Sequence, residues 1–113
     1  MRFVSAALFS LTVAGAAFAQ AAARVTIEDD VSHVNAVKCA GLRAAQLKQG
    51  AAPDALVQAT YDAWLASLSQ AGQDAAKVKQ EIDAEAARLA PSSAEAMTAM
   101  ARGCTPFEIR AAG

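Results

Sequence analysis

VQATYDAWLASL, residues 57–68, is the stretch that decides the fold class. Val57, Tyr61, Trp64, Leu65 and Leu68 recur at i, i+4, i+7, i+8 and i+11, so its large apolar side chains share one side of an α-helix. Asp54 stands where a helix N-cap belongs, and Gly72 follows as a stop, so this helix is expected from Asp54 to just before Gly72.

Glycine and proline punctuate the rest of the chain in the same manner, dividing it into four helical segments. A first helix is expected from Ile27 to Gln49, ended by Gly50 with Pro53 beyond, and carrying Ile27, Val31, Val34, Gly41, Leu42 and Ala45 on one side. A third is expected from Asp74 to Leu89, burying Val78, Ile82 and Leu89 and broken by Pro91. Ser92-Ser93-Ala94-Glu95 then reads as a capping box, with Ser92 at the N-cap and Glu95 three residues on. The fourth helix would present Met97, Met100, Ala101 and Cys104 inward, with Gly103 ending it and a short tail folding back through Phe107. No segment alternates with period two over a useful length, so no strands are expected. The fold class is all-α, a small bundle of about four helices with one long-range disulfide.

The N-terminus reads as an export signal. Arg2 precedes the uncharged run FVSAALFSLTVA, and Ala17-Phe18-Ala19 fits the small-x-small pattern of signal peptidases. Cleavage after Ala19 divides the chain into a signal at residues 1–19 and a single helical domain at residues 20–113. A spanning helix needs about 20 predominantly apolar residues. The uncharged run reaches that length only by including a polar, alanine-rich end, so no stable membrane anchor is expected after cleavage.

The 10 Lys+Arg stand against 11 Asp+Glu. Loss of Arg2 leaves 9 against 11, a mature balance near -2. That sign is wrong for nucleic acid, where phosphate neutralisation requires a basic face. Alanine dominates the 55% hydrophobic content, so large core-forming side chains are scarcer than the figure suggests.

Cys39 and Cys104 are the chain's two cysteines. In an exported chain a lone pair of thiols points to one intramolecular disulfide, fixing a periplasmic or secreted location and tying the first helix to the end of the fourth. A bridge between positions 65 apart would stabilise by roughly 4 kcal/mol in the chain-entropy model. Redox pairs stand as C-x-x-C and zinc sites need further ligands nearby; neither pattern is present. The cysteines are therefore a staple, with no metal and no cofactor expected.

Other candidates are weaker. His33 follows Asp29 and Asp30 at helical spacing; such a cluster could hold a metal, but two or three ligands at a fraying helix start make a poor site, and the ordinary reading is an acidic first turn with a solvated histidine. No nucleophile elbow, H-E-x-x-H pair, phosphate loop or dinucleotide fingerprint occurs, so no enzyme activity and no catalytic residue is assigned. Lys38 and Glu85 interrupt apolar stripes where core residues belong. Were the first and third helices to face each other, the two could pair in a partly buried site; the ordinary arrangement keeps both stems on the apolar edge with charged ends in water. Tyr61 and Trp64, with Met97 and Met100, would line an apolar groove or, as is commoner for such stripes, form core.

An export signal, a small helical domain and the Cys39/Cys104 staple together form a layout similar to that of the acid-stress chaperones of the bacterial periplasm. No motif carries individual residues across. The likeness implies a module whose carboxylates, protonated in acid, release apolar surface. The expectation is a non-catalytic binding or chaperone-like module of the cell envelope with a protein or peptide partner. The alternative is a structural or accessory subunit of a larger envelope complex.

Overall fold

A computed structural model describes residues 24–51, 54–70 and 72–110. The expected signal and its cleavage site lie outside the described residues. Strand β1 (Val25–Ile27) leads into four helices, α1 (His33–Lys48), α2 (Asp54–Gln70), α3 (Ala75–Leu89) and α4 (Ala94–Ala101). A 3-10 turn at Thr105–Phe107 then delivers strand β2 (Glu108–Arg110).

Helix ends follow local chemistry. The Ser32 hydroxyl accepts from the Asn35 amide at 3.2 Å and opens α1; the Asp74 carboxylate accepts from the Ala76 amide at 3.0 Å and opens α3. At the other end of α1, Gly50 adopts φ +75°, and its amide donates to the Leu47 carbonyl while that of Ala51 donates to Gln46. These two bonds form a Schellman cap, which requires a residue free to enter the left-handed region.

Three expectations need correction. α1 begins at His33 rather than Ile27, because Ser32 caps it and Val25-Thr26-Ile27 are committed elsewhere. Those three β-branched residues pair antiparallel with β2, Val25 opposite Arg110, Thr26 opposite Ile109 and Ile27 opposite Glu108, so the helical bundle carries a two-stranded sheet. At α4 the capping residue is Ser93, whose hydroxyl accepts from the Ala96 amide at 3.1 Å, one position later than the expected box. Ser92 instead offers its backbone carbonyl to the Gln49 side chain at 2.7 Å.

α1 is the central helix: α2, α3 and α4 all pack on it, and β1 lies along α2. Its buried face is rich in small residues, among them Ala36, Ala40, Gly41 and Ala45, which let the neighbouring backbones approach. At Gly41 a β-carbon would lie 2.6 Å from both Cβ and Cγ of Glu85 and 3.3 Å from the Ala86 nitrogen. A core poor in large side chains thus closes by drawing its helices together around Trp64, Ile82 and Met97, the largest fully buried apolar side chains among the described residues.

Candidate functional site

Cys39 and Cys104 form a disulfide with their α-carbons 5.7 Å apart, inside the roughly 4.4–6.8 Å range such bridges require. One turn further along α1 stands Arg43; four residues beyond Cys104 stands Glu108. These two also meet. The Arg43 Nε donates to Glu108 Oε2 at 3.0 Å and its Nη2 to Glu108 Oε1, while Nη1 donates to Gln46 Oε1 at 2.8 Å. Trp64 Nε1 donates to Glu108 Oε2 at 2.8 Å, which explains how an indole can be wholly buried. The Glu108 side chain is 0% exposed and that of Arg43 7%. Bidentate geometry and the tryptophan donor satisfy charges that would otherwise be costly to bury.

The bridge and the ion pair therefore share one offset, each joining positions 65 apart. They are two successive rungs fastening the segment after Gly103 to α1. Arg43, Gln46 and Glu108 were missed in the sequence. The signal that could have found them is this repeated offset: a complementary pair one turn beyond a cysteine pair.

The disulfide also floors a groove of about 420 Å³ between α1, α3 and α4. Leu42, Leu89 and Phe107 supply its apolar lining, and Met100, 39% exposed, stands at its lip. Lys38, Glu85, Arg88 and Asn35 supply polar groups. Lys38 and Glu85 thus come to one place, as helices facing each other would bring them, but the pair considered from the sequence does not form. Arg88, one turn along the same helix, takes the Glu85 carboxylate with Nε at 3.1 Å and Nη2 at 2.5 Å. It reaches that carboxylate without crossing between helices. The hydrogen bond to Glu85, and then its Coulomb attraction, raises the Arg88 pKa above the ordinary guanidinium value. Lys38 is exposed and enters no ion pair among the described residues.

The four residues considered as one groove separate. Trp64 and Met97 are fully buried core; Tyr61 borders a different cleft between α2 and α3; Met100 alone joins the disulfide groove. His33 does not meet Asp29 or Asp30, which precede α1 in a turn, and instead places Nε2 3.0 Å from Glu81 Oε1 on α3. Among the described residues no group of three or more metal-ligating side chains is assembled, and no helix is long and apolar enough to cross a membrane.

No known protein family, curated protein or solved structure matches the chain.

Proposed function

We propose that the protein is an exported, non-catalytic binding or chaperone-like module of the cell envelope. The observation that carries the reading is the groove between α1, α3 and α4: apolar along its floor, charged at its rim, and braced by a covalent bridge. A disulfide suits the periplasmic or secreted compartment that the N-terminal signal implies.

A client-aggregation assay tests the reading. The oxidised protein, mixed with an unfolding model client at neutral and acidic pH, is expected to suppress light scattering. An apolar dye is expected to bind more strongly as the pH falls and carboxylates are protonated. Absence of both effects, with no partner captured from the envelope under non-reducing conditions, would overturn the proposal.

The second reading, an accessory subunit of a larger envelope complex, is favoured by the exposure of Val34 at 60% and Ile109 at 49%. Large apolar side chains left in water are ordinary when scattered and informative when a partner covers them. Co-purification of a single stoichiometric partner protected at Val34 or Ile109 would select it.

A further inference from the structure

The disulfide groove carries one charge that the fold leaves unneutralised. Glu85 is committed to Arg88 through two hydrogen bonds, so that pair presents little net charge. Lys38, on the opposite side of the groove, has no anionic partner among the described residues. Below it lie the bridge, Leu42 and Leu89.

We propose that this groove binds a short peptide segment in which an apolar side chain neighbours a carboxylate. The apolar side chain packs against Met100 and Phe107, the more exposed of the groove's apolar residues, above a nearly closed floor of the bridge, Leu42 and Leu89, and the carboxylate meets the Lys38 ammonium. The inference rests on the binding-module reading and gives that module its ligand chemistry. One ammonium beside an already satisfied carboxylate suits a monoanion; a phosphate dianion would face Glu85 with only one uncommitted cation. The groove is open to solvent, so a bound peptide keeps its backbone hydrated, whereas an acyl chain would leave apolar surface in water. Asn35 at the rim offers both a donor and an acceptor to a peptide unit.

The test uses the oxidised, ¹⁵N-labelled full-length protein and two capped hexapeptides, one alternating leucine with aspartate and the other leucine with lysine. The acidic peptide is expected to shift the backbone amides of Cys39, Leu42, Gly103 and Cys104, and to bind up to about fivefold more tightly than the basic one at low salt. The preference is expected to shrink at high salt. Lys38→Glu, an exposed change expected to leave the unfolding midpoint within a narrow range, is expected to reverse the preference, and Met100→Asp to weaken the acidic peptide. Equal binding of the two peptides, a preference unchanged in Lys38→Glu, or shifts confined to another face would overturn the proposal. Laurate binding at the same amides without peptide binding would also overturn it, in favour of a lipid. Loss of peptide binding with client protection intact would sink the ligand class alone; loss of both would sink the module reading with it.

Discussion

Glu108, its side chain 0% exposed, accepts three hydrogen bonds, from two nitrogens of Arg43 and from the Trp64 indole. Replacing it by glutamine keeps the size but leaves a buried guanidinium without its counter-charge. Glu108→Gln is therefore expected to cost about 3 kcal/mol or more, read as a lowered urea midpoint at neutral pH. A double-mutant cycle on Lys38 and Glu85 is expected to show less than about 0.5 kcal/mol of coupling, because the two make no ion pair. Coupling well above that would mean that solution conformations bring Lys38 to Glu85. Gly41→Ala sets two effects against each other. In an open helix the change would stabilise by about 1 kcal/mol. Here the added methyl meets Glu85 Cβ and Cγ at 2.6 Å, and the α1–α3 approach must widen. A net loss of about 1–3 kcal/mol is expected in the same denaturation experiment. The Arg43–Glu108 pair was not anticipated. Arg43 neighbours Leu42 in a helical stripe, and only the tertiary placement of Glu108 turns it inward. Gly41 was legible as part of the buried stripe but not as a point of contact with Glu85.

At the level of elements, local chemistry placed the helices well and their first residues less well. Gly50 ended α1 because its left-handed φ completes a cap that other residues resist. The N-terminal side was harder, because two adjacent serines offered two capping registers for α4. The observed register is testable. Ser93→Ala is expected to cost about 1 kcal/mol, while Ser92→Ala, which leaves the carbonyl bound by Gln49 in place, should stay within about 0.5 kcal/mol. A reversed ranking in thermal melts would restore the earlier register. The sheet was invisible for a related reason. Each strand has three residues, too few to display alternation, and its partner lies at the far end of the described chain. Ile27 fitted the apolar stripe of Val31 and Val34 at helical spacing, so the expected helix ran back through Glu28-Asp29-Asp30, where the chain in fact turns before Ser32 caps α1.

Across the described residues a central helix receives three others and a returning tail, and the cysteine pair foretold the contact between that helix and the end of the fourth. Removing both thiols, Cys39→Ala with Cys104→Ala, is expected to lower stability by roughly 4 kcal/mol. That loss should not add simply to the loss from Glu108→Gln, because both changes release the same segment from α1. Strict additivity in urea denaturation would show that the two rungs act independently. The shared offset of 65 positions also has a meaning in time. A polypeptide is made from its N-terminus onward, each residue being added at the C-terminal end, so Cys39 and Arg43 exist before the residues that complete them. Throughout that interval the helix on which every other helix packs carries a lone thiol and an unmatched guanidinium. A chain interrupted between Cys39 and Cys104 keeps that thiol, the circumstance that favours mixed disulfides between molecules. Closing both rungs is thus a record of synthesis having passed Glu108, and a shorter product remains chemically distinguishable by the sulfur it cannot pair.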